Sequence, residues 1–192
     1  MAELQAILSE LANPGHPNDV HRRVELCRQA LALLGRDQNP PLWAALNEQL
    51  AIGLAGDQQG ERADNLERAI EHYGAALTVY TLGTFPADWA RTRNNLGLTY
   101  RRRIRGERVK NIECAIRHYE EALKVRTREA FPQDWADTQN NLANAYGDRI
   151  RGERVKNICI GFDMIGQPSD LGVRLRASDR LAQPVAVTGS RC

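Results

Sequence analysis

A 46-residue internal repeat is the feature of this sequence that most constrains its fold. Trp43, Trp89 and Trp135 are spaced 46 residues apart, and the ten residues 103–112 recur unchanged as residues 149–158. A fixed period of about 20 to 50 residues is typical of a solenoid, in which each unit packs mainly against its neighbours. The sequence therefore predicts one stacked structure whose length depends on the number of units.

Composition and charge narrow the class of protein. Hydrophobic residues make up 42% of the 192 residues, and the net charge is +2 at pH 7. A charge so close to balance argues against a dedicated nucleic-acid binder, because such domains are usually strongly basic. No apolar run approaches the roughly 18 residues of a membrane span, and the N-terminus lacks the pattern of a signal peptide. The sequence therefore predicts a protein without a membrane segment.

Apolar periodicity predicts two helices in each unit. In the second unit, one face of the first helix carries Trp89, Thr92, Leu96, Tyr100 and Ile104, and one face of the second carries Ile112, Ile116, Tyr119 and Leu123. Spacings of three and four residues are those of an amphipathic α-helix. Gly106 predicts a C-cap for the first helix, and Asp64 and Glu67 have capping-box spacing in the first unit. Each unit is expected to be a helical hairpin.

The same frame divides the chain into about three and a half units. Residues 1–34 form a partial N-terminal repeat, followed by repeats at 41–86, 87–132 and 133–158, the last of them incomplete. Residues 159–192 contain four glycines and two prolines without a helical period, which predicts an irregular or disordered tail.

The abrupt loss of the period after Ile158 suggests a hypothesis about the origin of this tail. A change of reading frame or a deletion would have cut a longer array directly after the duplicated segment. The first helix of the third unit would then lack the second helix that normally covers its apolar face. Self-association through this uncovered C-terminal unit is an expected consequence.

Two short motifs recur at fixed positions in the units. The second unit has Leu96-Gly97-x-x-Tyr100, then Ala115-x-x-x-Tyr119-x-x-Ala122, then Pro132, and the third has Leu142-Ala143-x-x-Tyr146. These units resemble tetratricopeptide repeats over about residues 1–158. Their greater length and their Asn-Asn-Leu segment are similar to the repeats of kinesin light chains. They are closer still to bacterial, notably cyanobacterial, repeats that accompany caspase-like CHAT domains. Small residues at 51, 97 and 143 would allow two helices to approach closely.

The resemblance implies an all-α solenoid, a right-handed superhelix with a groove lined by the first helix of each unit. It also implies a non-enzymatic scaffold that binds an unidentified protein or peptide, with a bacterial signalling role. The groove-facing residues that it indicates are Arg91, Asn94, Asn95, Leu98, Arg101 and Arg102 in the second unit, and Asp137, Asn140, Asn141, Asn144 and Asp148 in the third.

Comparison of the second and third units bears on this groove. Residues 85–112 and 131–158 are identical at 20 of 28 positions, and four of the eight differences fall at 91, 98, 101 and 102 of the second unit. A preserved core face beside a diversified face is typical of an interaction surface, and drift on a solvated face gives the same pattern. The asparagines offer donors and acceptors for a peptide backbone, or they fix the packing of the helices.

A basic run provides a further candidate site. Arg101 to Arg105, with Arg108 and Lys110, is the densest group of positive charges and would bind phosphate or RNA. Most of these residues recur in the third unit together with a glutamate, which favours a solvated or salt-bridged linker. A structural fragment of a longer array, without its own ligand, is the remaining alternative to a peptide-binding scaffold.

Residue types that carry metal or catalytic chemistry give weak signals. His72 and His118 occupy equivalent positions without a second ligand at a metal-binding spacing, so we expect surface histidines rather than a metal site. The four cysteines form no CxxC pair, and free cysteines suit the predicted cytoplasmic location. No nucleophile–base pair, glycine-rich phosphate loop or paired carboxylate stands out. Neither an enzyme activity nor a cofactor is expected.

Overall fold

The structure, a computed structural model, describes residues 2–12, 20–57 and 61–164 of the chain. This described part contains seven α-helices and no strand, which confirms the all-α class. The helices are α1 (Ala2–Leu11), α2 (Val20–Leu33), α3 (Pro40–Gly56), α4 (Arg62–Ala76), α5 (Pro86–Arg102), α6 (Arg108–Leu123) and α7 (Pro132–Met164). The chain divides into two units, Met1–Ile150 and Arg151–Cys192, and the packing below belongs to the first.

Proline sets the start of the first helix in three successive units. α3, α5 and α7 begin at Pro40, Pro86 and Pro132, which are 46 residues apart. Proline suits this position because its fixed φ is helical and its missing N–H would have had no intrahelical partner. In α3 the side chain of Asn39 also accepts a hydrogen bond from the Leu42 N–H at 3.2 Å. The 46-residue period therefore has a direct local cause at the start of each unit.

Each helix from α1 to α5 packs against the next helix in the chain, and α3 also contacts α5. α6 contacts α7 through a cluster that includes Tyr119, Ala145 and Tyr146. Contacts between successive helices, together with a contact between two first helices, match the packing expected of repeated units.

A tyrosine from each of the second helices α4 and α6 lies at the centre of the packing. Tyr73 and Tyr119 occupy equivalent positions and are 2% and 0% exposed. A Cβ atom added at Gly97 would lie 2.8 Å from Cε1 of Tyr119 and 3.1 Å from the carbonyl oxygen of Ala115. The expected close approach of two helices at residue 97 is therefore confirmed for α5 and α6.

The loop between α5 and α6 differs from the prediction. α5 ends at Arg102, so Ile104 lies outside the core face to which it was assigned and is 61% exposed. Gly106 does not cap α5 but lies within the loop, where its φ of +78° suits a glycine. Ion pairs from this loop to Asp64 and Glu67 replace the predicted capping box.

α7 also departs from the predicted boundaries. Residues 149–158 are identical to residues 103–112, yet they continue α7 without the loop seen in their twin. α7 extends to Met164, so the prediction of an irregular tail is wrong for residues 159–164. One physical difference is that Asp64, which binds the first loop, is replaced by Lys110 at the equivalent position. The rest of the predicted tail, 165–192, lies outside the described residues.

The contact at Gly97 predicts opposite effects of the same substitution at two helical glycines. Gly97→Ala places a methyl group against the Tyr119 ring, and we expect a loss of about 1 kcal/mol in the free energy of unfolding. Gly74→Ala is the control, because a Cβ there meets nothing within 4 Å. It should stabilise α4 by about 0.5–1 kcal/mol. Urea unfolding measures both values, and equal effects at the two sites would contradict the packing described here.

Candidate functional site

The predicted groove residues lie on α5 and α7, but they differ widely in exposure. Asn94 is 8% exposed, whereas Asn95 and Leu98 are only partly buried. On α7, Asn141 is partly buried and three other predicted residues are exposed. These exposed residues are Asp137, Asn140 and Asn144.

Three asparagines form a hydrogen-bonded chain between α5 and α7. Asn141 Nδ2 donates to Asn94 Oδ1 at 3.2 Å, and Asn94 Nδ2 donates to Asn95 Oδ1 at 3.4 Å. The buried Asn94 is thus engaged in helix packing. Asn95 Nδ2 and Asn141 Oδ1 make no hydrogen bond within the described part of the chain. Among the three asparagines, these two atoms therefore remain available to bind a ligand.

Two open clefts lie beside α3 and share Ile52 and Gly56. The first, of about 250 Å³, is lined by Ile52, Ala55, Gly56, Tyr73, Asn95, Leu98, Thr99 and Arg102. The second, of about 290 Å³, is lined by Val20, Arg23, Gln49, Ile52, Gly53 and Gly56. The structure therefore brings Asn95, Leu98 and Arg102 of the predicted site together in one cleft with residues of α3 and α4, and residues of α2 line the neighbouring cleft.

The α2 and α3 residues of these clefts were missed because periodicity identifies apolar faces rather than gaps between helices. A usable signal was present in α3, where Gly53 falls inside the helix. Glycine costs about 1 kcal/mol against alanine there, which indicates a demand for space. A Cβ atom at Gly53 would lie 2.6 Å from Cγ2 of Val24, so this glycine permits contact with α2.

An ion pair between a buried glutamate and a partly exposed arginine joins α3 to α5. The Glu48 carboxylate is 1% exposed and accepts hydrogen bonds from Arg91 Nε at 3.0 Å, Arg91 Nη2 at 2.6 Å and Thr92 Oγ1 at 3.0 Å. The hydrogen bonds to Glu48 raise the pKa of Arg91 above its usual value. Arg91, predicted as a groove cation, therefore serves chiefly to neutralise Glu48, which the sequence reading did not single out.

The basic run is largely paired with carboxylates. Arg103 bonds Glu67 on α4 at 2.6 Å, and Arg105 bonds Asp64 at 2.5 Å. Asp148 on α7 accepts ion pairs from two further arginines, Arg101 at 3.3 Å and Arg108 at 3.2 Å. Arg102 has no carboxylate at ion-pair distance among the described side chains.

The two equivalent histidines are partly buried between helices, so the expectation of surface histidines is wrong. His72 Nδ1 lies 2.9 Å from Asn47 Oδ1, and His118 Nδ1 accepts a hydrogen bond from Arg93 Nη1 at 3.1 Å. Burial, with smaller contributions from Arg93 and Arg117, lowers the pKa of His118 to about 4. Each histidine links a second helix to the first helix of its own unit.

Among residues 2–12, 20–57 and 61–164, no group of three His, Cys, Asp or Glu side chains is placed to hold a metal ion. The helices in the same ranges do not combine the length and apolar character needed to span a membrane. Comparisons with family models, curated proteins and solved structures found no match to this chain. The candidate site therefore rests on the clefts and the polar contacts around them.

The burial of His118 predicts a stability that depends on pH. Its folded pKa of about 4 lies below the usual 6.5, so the unfolded chain binds the proton first as the pH falls. The free energy of unfolding should therefore decrease by roughly 2–3 kcal/mol between pH 6.5 and 4 and be unaffected by this group above 6.5. Urea unfolding at several pH values should show a smaller decrease in His118→Gln. His21→Gln, a control at an exposed histidine, should show the same decrease as the native chain. A decrease in His118→Gln as large as that of the native chain would contradict the prediction.

The Glu48–Arg91 pair predicts a strong coupling between α3 and α5. Arg91→Ala leaves the buried Glu48 carboxylate with Thr92 alone, and we expect a loss of about 3 kcal/mol in the free energy of unfolding. The double variant with Glu48→Asn and Arg91→Ala should lose less free energy of unfolding than Arg91→Ala alone, because an uncharged asparagine needs no cation beside it. Asparagine is also the residue at the equivalent position 94. A double-mutant cycle measured by chemical unfolding tests this, and additive effects would refute the coupling.

Proposed function

We propose that this chain is part of a tetratricopeptide-like α-solenoid and acts as a non-enzymatic scaffold that binds an extended peptide segment of a partner protein. The observation that carries the proposal is the pair of clefts on the two sides of α3, which share Ile52 and Gly56 and so lie next to each other. An extended segment can occupy both clefts at once, whereas a compact small molecule fits one of them.

The lining of the groove suits a peptide in composition. Ile52 and Leu98 provide an apolar wall for one side chain of the ligand. Asn95 Nδ2 is a donor without a partner in the described part of the chain and can bind a backbone carbonyl of the ligand. Alternating apolar and hydrogen-bonding contacts of this kind are what an extended peptide offers.

The charges of the groove indicate the kind of peptide. Arg23 and Arg102 line it, and neither cleft has a carboxylate among its lining residues. Arg23 Nη2 donates to Gln49 Oε1 at 3.1 Å, so its charge is not cancelled by that contact. We therefore expect a ligand with an apolar residue flanked by aspartate or glutamate.

Selection from a phage-displayed library of random peptides tests this function. The native chain should enrich acidic peptides with one apolar position, and Leu98→Glu should reduce their affinity at least tenfold by placing a negative charge in the apolar wall beside the acidic residues of the ligand. Ile104→Glu is the matched control, because Ile104 is exposed but lines neither cleft. Failure to enrich any peptide, or equal losses in both variants, would favour a structural array without its own ligand.

A further inference from the structure

The helix α7 exposes residues whose counterparts in the preceding unit are buried. On α5, Ala90 is 0% exposed and Gly97 is buried against the ring of Tyr119 on α6. Their equivalents on α7, Ala136 and Ala143, are both exposed. No helix follows α7 in the described part of the chain to take the place that α6 takes beside α5.

The exposed residues of α7 form a continuous apolar side of the helix. Ala136, Ala143 and Ile150 are seven residues apart, which places them in one row along α7, and Ile150 is 49% exposed. Trp135 and Tyr146 lie beside this row and are partly exposed. These five residues are called the outer face of α7 below. An exposed apolar surface bordered by polar residues is typical of a surface that binds another protein.

The charge of α7 changes sign along its length. Residues 132–147 contain two aspartates and no lysine or arginine, whereas residues 148–158 contain four cations and two carboxylates. Two parallel copies of this helix would place like charges together. In an antiparallel pair, the acidic half of each copy faces the basic half of the other, and the two helix dipoles are also opposed. The charges of α7 are therefore complementary to those of a second, antiparallel α7.

Two charged residues show how such a pair would be aligned. Asp137 and Arg151 are both exposed and are 14 residues apart, close to four helical turns, so they lie along the same edge of the outer face. Residue 144, next to Ala143, is midway between them. When two copies of α7 cross near Ala143 in opposite directions, Asp137 of each copy therefore meets Arg151 of the other.

We propose that the outer face of α7 binds the same face of a second copy of this chain, with the two helices antiparallel. The contact is symmetric, so it covers Ala136, Ala143 and Ile150 of both copies and forms the Asp137–Arg151 ion pair twice. It goes beyond the proposed peptide binding, because these residues line neither of the clefts beside α3 and the contact needs no peptide.

Sedimentation equilibrium of the full chain tests this contact. The average mass should rise toward that of a dimer between about 1 µM and about 200 µM protein, because a contact made by one helix from each copy is small. Ala143→Lys should raise the dissociation constant at least tenfold, since a long charged side chain keeps the two helices apart. Ala32→Lys is the matched control, because Ala32 is also an exposed helical alanine but lies on α2.

Reversal of the two charges tests the antiparallel arrangement. Asp137→Arg and Arg151→Asp each place like charges at both ends of the contact, so each variant alone should dimerise at least tenfold more weakly. An equimolar mixture of the two variants should recover the association, because both ion pairs of a mixed dimer then join opposite charges. Glu71→Arg, a reversal at an exposed position of α4, should associate like the native chain. Circular dichroism checks that every variant keeps its helix content.

Each outcome of these measurements decides for or against the contact. Association that weakens in both charge-reversed variants and returns in their mixture supports it. A chain that stays monomeric over this range would overturn it and would indicate that another segment of the chain, or a different protein, covers the outer face of α7. A dimer that the charge reversals leave unchanged would also overturn it. So would species that grow beyond a dimer, since a symmetric contact closes at two copies.

Discussion

The contact of a buried tyrosine with a small residue on the facing helix sets the geometry on which the other contacts depend. Tyr119 is fully buried, and a single added carbon at Gly97 would already lie 2.8 Å from its ring. The short distance between α5 and α6 that follows brings His118 within 3.1 Å of Arg93. Because interiors are close-packed, a larger residue at 97 would move these polar partners apart as well. The burial and lowered pKa of His118 are consequences of that distance.

Polar contacts between successive first helices differ from one junction to the next. Glu48 pairs with Arg91 between α3 and α5, whereas Asn94, at the position equivalent to Glu48, accepts from Asn141 between α5 and α7. Two equivalent positions therefore change together between the junctions: Arg91 becomes Asp137, and Glu48 becomes Asn94. Polar contacts between neighbouring units therefore explain part of the sequence difference on the diversified face, and a ligand need not account for all of it. Leu98 and Arg102, two of the other positions that differ between the units, line a cleft.

The sequence was sufficient to predict most of the helices, because they follow from the period of apolar residues. Three of the predicted site residues, Asn95, Leu98 and Arg102, line one cleft. Glu48 was not predicted, since its role depends on an arginine 43 residues further along the chain. Ile104 was assigned to the core because its spacing continues that of α5, but α5 ends at Arg102 and Ile104 is 61% exposed. Local patterns do not contain such long-range pairings.

The two copies of one ten-residue sequence show how far tertiary contacts decide local structure. Residues 103–112 form a loop and the first turns of α6, whereas residues 149–158 are helical throughout. Intrinsic propensity is the same for both copies, so the difference must arise outside the segment. The loop between α5 and α6 forms ion pairs with Asp64 and Glu67 on α4. In the next unit, the residue at the position equivalent to Asp64 is Lys110. The Arg103–Glu67 pair is retained in the helical copy as Arg149–Glu113 at 3.5 Å, so an ion pair at this position does not by itself end the helix. The contact at Asp64 is the one that accompanies the loop in the first copy alone, since a lysine at 110 cannot pair with an arginine.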